Sequence, residues 1–181
     1  MSAIPVLLID DDPLFAEILR FELQEKSSDV TVEILSQHVN VSDVGPFVTQ
    51  IALEVNVPGR KLLLVLCNNY LDAQLLLEAV KKGEAPPWAA FIVDLKIAFG
   101  RNSVAAANVY YGVDLCKWID ENLNGNYLPI SAVLSDVNNS LGGEEVRSLK
   151  QVPIEKNRID DIGNKVLQLC GLTANAVKGS N

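Results

Sequence analysis

Val6-Leu7-Leu8-Ile9-Asp10-Asp11-Asp12-Pro13 is the stretch on which the reading of this chain turns. Four consecutive apolar residues are the pattern of a strand buried on both faces. After Pro13, apolar residues recur with helical spacing at Leu14, Phe15, Ile18, Leu19, Phe21 and Leu23, as far as Gln24. The segment therefore reads as strand, acidic turn, helix. Asp12 caps that helix, with proline at the first helical position, so the third aspartate has a structural reason to be there. Capping does not account for Asp10 and Asp11.

The same arrangement recurs along the chain. Phe91-Ile92-Val93 leads into Asp94, Ala132-Val133-Leu134 into Ser135, and Val152-Pro153-Ile154 is followed closely by Lys156. Strands of an open parallel sheet share one C-terminal edge, where residues from distant parts of the chain converge on one ligand. Three carboxylates, a hydroxyl and an ammonium suit a divalent cation and a phosphoryl group.

Between these points the pattern alternates. Strands are predicted over 61–67, 89–93, 130–134 (following Pro129) and 151–155. Helices are predicted over 71–82 (with Leu71, Leu75, Leu76, Ala79 and Val80 on one side, closed by Gly83), 113–123, 144–149 and 159–169. Such alternation predicts an α/β fold, a doubly wound parallel sheet with helices on both faces. Residues 27–60 are an inserted segment, with alternation at Val30, Val32 and Ile34, a capped helix after Ser42 and a turn at Val57-Pro58-Gly59. A hairpin or helix added at the sheet edge is one reading of it; Val30 to Leu35 as a further strand, giving six, is the other. Residues 171–181 read as a flexible tail.

With 181 residues, 49% of them hydrophobic, the chain can bury a substantial core as one domain. Its 23 acidic and 15 basic residues argue against nucleic acid or an anionic membrane surface as partner. Cys67, Cys116 and Cys170 are odd in number and lack metal-ligand spacing, so they read as reduced core residues. No apolar run approaches the ~20 residues of a membrane span, and the N-terminus lacks a leader's basic region. The expected location is the cytoplasm.

Taken together, the motifs at 6–13, 91–96, 133–135 and 154–156 resemble the receiver domains of bacterial two-component response regulators, over residues 1–170. The resemblance implies a flavodoxin-like sheet of five parallel strands in the order 2-1-3-4-5. It makes Asp94 the acceptor of a phosphoryl group from a kinase histidine. Asp11 would bind Mg²⁺ directly, Asp10 through water, and Asp94 and the backbone carbonyl of Lys96 would complete the protein ligands. Ser135 would donate to the phosphate and Lys156 would supply a second positive charge. The implied partners are a sensor histidine kinase or histidine phosphotransfer protein and a downstream protein target, with a homodimer as a further option. On this reading the chain is a signalling phosphoacceptor in a phosphorelay and not an enzyme.

The chain departs from the family pattern. The interval from Asp11 to Asp94 is too long for two strand-helix passages, which marks the insertion at 27–60. A second insertion at 98–109 lies beside the acceptor, where Arg101 and Tyr110-Tyr111 are candidates to contact a partner or shield the phosphate. Pro153 stands where an aromatic usually reports the hydroxyl's movement, Asp136 where a small residue follows the hydroxyl, and Asn157 where a proline follows the lysine. Two other functions compete. A pseudo-receiver would keep the fold as a phosphorylation-independent protein-binding module. A haloacid-dehalogenase-like phosphatase would use Asp10 as nucleophile and Asp12 as general acid, with Asp160 and Asp161 as the later acidic motif.

Overall fold

The computed structural model describes residues 4–26, 52–57, 60–85, 87–100, 103–105, 109–123, 126–132 and 143–172. Six strands and five helices lie within them. They are β1 (Ile4–Ile9), α1 (Pro13–Glu25), β2 (Ala52–Val57), β3 (Arg60–Cys67), α2 (Tyr70–Lys82), β4 (Ala90–Asp94), α3 (Tyr111–Asn122), β5 (Tyr127–Ser131), α4 (Gly143–Arg147), β6 (Ile154–Glu155) and α5 (Ile159–Leu169). The strands form one sheet in the order β2-β3-β1-β4-β5-β6. β3, β1, β4, β5 and β6 run parallel, which is the 2-1-3-4-5 order when only the parallel strands are counted. This is the flavodoxin-like, doubly wound arrangement.

β2 is the addition. It pairs antiparallel with β3, from Ala52↔Val65 to Val57↔Arg60, and extends the sheet beyond the five parallel strands. The inserted segment thus contributes an edge strand in a hairpin. The remainder of the insertion at 27–51, including Val30, Val32, Ile34 and the helix expected after Ser42, lies outside the described residues, as do Pro58 and Gly59.

Two cores flank the sheet, and strand alternation divides the residues between them. Leu7 and Ile9 of β1 and Phe91 and Val93 of β4 pack with α2 and α3. Val6 and Leu8, with Ala90 and Ile92, pack with α1 and α5. Cys67 and Cys116 belong to the first core and Cys170 to the second, all three as buried thiols.

The helices bury narrower faces than the sequence suggests. In α2 the buried apolar residues are Ala73, Leu76, Leu77 and Ala79, while Leu71 and Leu75, predicted for the inner side, are exposed. α1 likewise buries Phe15, Ala16, Leu19 and Leu23 and exposes Leu14, Ile18 and Phe21. α2 is well bounded. The Asn69 side chain accepts from Asp72 N–H, and Gly83 closes the helix at φ 75°, a left-handed conformation glycine adopts without steric cost.

β5 is displaced from its expected place. It spans Tyr127–Ser131 rather than 130–134, and Pro129 lies inside it instead of before it. The backbone shows why this costs no ladder bond. Phe91 N donates to Asn126 O and Leu95 N to Ile130 O, whereas Lys156 N donates to Ser131 O. Even-numbered residues of β5 therefore face β4 and odd-numbered ones face β6. β6 pairs Ile130 and Ser131, so among the described residues no strand partner stands where the missing N–H of Pro129 would point.

Residues 171 and 172, the first two of the expected tail, are among those described. Leu172 is buried against α1 and α5, and its N–H donates to Leu167 O. Among the described residues no helix is long and apolar enough to cross a membrane.

Candidate functional site

β1 is the turning point of the winding, because β3 lies on one side of it and β4 on the other. In such sheets the crevice beyond the strand C-termini at the turning point is where ligands bind. Asp10 follows β1 directly, Asp94 ends β4 and Lys156 follows β6, so all three reach that edge. In strand phase, Asp10 continues Leu8 and Asp94 continues Ile92, placing both on the side covered by α1 and α5.

The side chains meet there. Lys156 Nζ donates to Asp10 Oδ1 at 2.9 Å and lies 2.7 Å from Asp10 Oδ2 and 2.8 Å from Asp94 Oδ2. The ammonium also sits 5.0 Å from the centre of the Phe15 ring, at the start of α1. Asp10 is 0% and Asp94 4% exposed. Asp11 is half-buried, and one carboxylate oxygen from each of Asp10, Asp11 and Asp94 falls within 4.8 Å of the others. The backbone tightens both ends. Asp12 N–H donates to Asp10 Oδ1 at 2.9 Å, and Lys96 N–H donates to Asp94 Oδ1 at 3.1 Å. Asp12 itself caps α1, accepting from Leu14 N–H at 3.0 Å.

The electrostatics follow from burial. Asp10 is pushed up to about 7, first by desolvation and then by the charge of Asp94, against the pull of Lys156. Asp94 is also raised, chiefly by desolvation, with Lys156 opposing. Burial alone would lower Lys156, but the two carboxylates outweigh it and the ammonium is held charged. When all three carboxylates are ionised, the one ammonium leaves two negative charges uncompensated, the deficit that one divalent cation fills.

Asp10 Oδ2 is buried and held by the ion pair with the Lys156 ammonium, 2.7 Å away. The oxygens of Asp10, Asp11 and Asp94 converge within 4.8 Å of one another, and three such carboxylates are a donor set for a hard oxygen-seeking ion of the Mg²⁺ class. The residues present therefore fit a divalent metal.

These charges give the site a pH signature. The folded chain holds protons on Asp10 and Asp94 that the unfolded chain, with carboxyls near their ordinary 3.8, has already released. Stability in the absence of metal is therefore expected to fall as pH rises from about 5 to about 8, through the Asp10 transition. Thermal melts in chelator should show this fall, Mg²⁺ should raise the melting temperature more at the higher pH, and Asp10→Asn should flatten both responses. A melting temperature rising over that interval in wild type would contradict this electrostatic picture.

Not every expected residue enters the cluster. Ser135 lies outside the described residues, as do Asp136 and Arg101. Because β5 ends at Ser131, three residues before its expected end, the strand-end position belongs to Ser131. It is buried, and its carbonyl accepts from Lys156 N–H at 2.8 Å, tying β5 to the lysine's backbone. Asp160 pairs with Lys26, just after α1, and Asp161 with Arg158, so the acidic motif of the phosphatase reading is engaged elsewhere. Tyr111 packs its ring against Tyr70 and Phe99. Tyr110, just before α3, packs against the core on the α2 and α3 side.

Gly112 is a residue the sequence reading missed. A Cβ there would meet Asp94 O at 1.9 Å and Leu95 Cα at 2.7 Å, while Gly112 N–H donates to Leu95 O at 3.2 Å. The start of α3 thus rests directly on the backbone of Asp94. The only signal was a glycine at the head of a helical pattern.

No family model and no curated protein matches the chain. Among solved structures, a fusion protein containing a trimeric coiled-coil segment of yeast Spc42 matches with a TM-score of 0.51, at 12% identity over 99% of this chain and 85% of that one. The CheY-like receiver domain of a response regulator from Methylobacillus flagellatus matches with a TM-score of 0.46 (15% identity, 92% and 98%). The Mn²⁺-bound form of response regulator Rcp1 matches with a TM-score of 0.48 (12% identity, 98% and 96%). G domains of an iron transporter also occur among the matches. At these identities none of these likenesses assigns a role, and the doubly wound, flavodoxin-like fold of the chain stands on its own strand order.

Proposed function

We propose that the chain is a response regulator receiver in which Asp94 accepts a phosphoryl group, with Mg²⁺ held by Asp10, Asp11, Asp94 and the backbone carbonyl of Lys96. The observation that carries this reading is the Lys156 ammonium bridging Asp10 and Asp94 at the sheet's turning point, with Asp11 alongside. A carboxylate oxygen of Asp94 attacks phosphorus, the bond from phosphorus to the donor histidine nitrogen breaks, and its electron pair returns to the imidazole. Lys156, which touches Asp94 already, draws off charge from the transferring oxygens. Mg²⁺ supplies the other part of that neutralisation when bound. Ser135 stands as hydroxyl donor to the phosphate on the strength of the resemblance.

On this reading the donor is a histidine kinase or a histidine phosphotransfer protein, the output is a protein target, and the protein works in the cytoplasm as a signalling component and not as a turnover enzyme. Incubation with a small acyl phosphate should label the protein when Mg²⁺ is present, and removal of the metal by EDTA should abolish labelling. Labelling indifferent to EDTA would count against the metal site. A chain that takes no label at all would favour the pseudo-receiver, which shares this fold and needs none of this chemistry.

A further inference from the structure

The connection from Asp94 to α3 is long, and it is fastened in an unusual place. Ala98 O accepts from Tyr70 N–H at 2.8 Å and Phe99 O accepts from Leu71 N–H at 3.0 Å, so the loop supplies carbonyls to the first turn of α2. Ile97 and Ala98 are buried, with Ile97 in the core on the α2 and α3 side. Above these bonds three rings meet. Tyr70 and Phe99 stack with centroids 5.8 Å apart, Tyr70 and Tyr111 lie 5.2 Å apart, and Phe99 and Tyr111 lie 5.1 Å apart. One ring comes from α2, one from the loop and one from α3.

We infer that Tyr70, Phe99 and Tyr111 form a positioning clamp that holds residues 95–99 in the shape required for Lys96 to serve the metal and for Asp94 to accept phosphate. The inference rests on the receiver reading and extends it to residues outside the site. Lys96 sits between two anchors. On one side its N–H donates to Asp94 Oδ1, and three residues on, the chain is bonded to α2. Tyr111 immediately precedes Gly112, whose N–H holds Leu95 O and whose α-carbon rests on Asp94 O. A loop of this length would otherwise sample many conformations, and few present a carbonyl beside three carboxylates. Phe99 is 43% exposed, more than a ring kept only for burial, and its contacts with two tyrosines, stacked on Tyr70 and tilted against Tyr111, restrain it.

The test measures Mg²⁺ binding to metal-free protein by calorimetry, alongside the rate of labelling by acyl phosphate at saturating Mg²⁺. Phe99→Ser and the pair Tyr70→Leu with Tyr111→Leu are expected to weaken Mg²⁺ binding and slow labelling by about tenfold each. Tyr70→Phe and Tyr111→Phe keep the rings and should retain wild-type values. Hydrogen exchange at 95–99 should rise in the first set only. Variants that melt lower but bind Mg²⁺ and label as wild type does would overturn the clamp, leaving the rings as scaffold and the receiver reading intact. A wild-type chain that neither binds Mg²⁺ nor labels would overturn both.

Discussion

Gly112→Ala is expected to lower stability by about 3 kcal/mol, with a fall in melting temperature of about 10 °C, and to slow labelling of Asp94 by about a hundredfold. The added methyl would fall 1.9 Å from Asp94 O and 2.8 Å from Asp94 C. These are backbone atoms of a strand paired on both sides, to β1 and to β5, so they have no room to give. α3 must move instead, and the bond from Gly112 N–H to Leu95 O goes with it. The two effects should appear together, because the atom that the methyl would strike belongs to the acceptor residue. Gly163→Ala is a useful contrast. Its Cβ would meet Glu22 Cγ at 2.9 Å and Lys26 Cε at 3.0 Å, side-chain atoms and not backbone of the acceptor strand. It should melt somewhat lower and label at the wild-type rate; equal loss of labelling in both variants would show that Gly112 has no special bearing on the acceptor.

Lys156→Met is the second large effect, and it should depend on pH. Removing the ammonium leaves Asp10 and Asp94 buried together with no counter-charge, a situation that costs about 3–5 kcal/mol when both remain ionised. A carboxyl in that position takes up a proton instead, so the variant should be nearly as stable as wild type at about pH 5 and far less stable at about pH 8. Mg²⁺ should recover part of the difference at the higher pH, because it supplies positive charge to the same carboxylates. Labelling should fall at every pH. A loss of stability equal at both pH values would mean that the lysine acts through packing, including its contact with Phe15, rather than through charge.

Much of the fold was legible because the central strands are buried on both faces. The runs at 6–9, 61–67 and 90–93 can hardly be anything but interior strands of a parallel sheet, and the aspartates that follow the first and the last of them mark its C-terminal edge. The elements that escaped sequence reading did so for physical reasons. β2 is an edge strand, defined by pairing with β3 rather than by its own pattern. β5 was placed too late because proline usually stands outside strands, and only the shortness of β6 lets Pro129 stand inside one. The buried sides of α1 and α2 were overestimated because both carry apolar residues all round, and periodicity does not say which face meets the sheet.

The site divides in the same way. Asp10, Asp11 and Asp94 were legible because they stand at the ends of interior strands, and Lys156 because it follows a short apolar run; the topology brings the four together. Ser135 was tied to the assumed position of β5 and lies beyond its observed end. Gly112 and the three rings went unseen because their roles come from contacts between residues far apart in sequence. No local pattern around Tyr70 points to Phe99.

The central claim is that Asp94 is a phosphoacceptor, and the most direct test is intact-protein mass after incubation with Mg²⁺ and a small acyl phosphate, for wild type, Asp94→Asn and Asp10→Asn. One labile phosphoryl adduct is expected on wild type, none on Asp94→Asn and a much reduced amount on Asp10→Asn. An adduct of full yield on Asp94→Asn, or steady consumption of the donor that requires Asp10 and ignores Asp94, would contradict it.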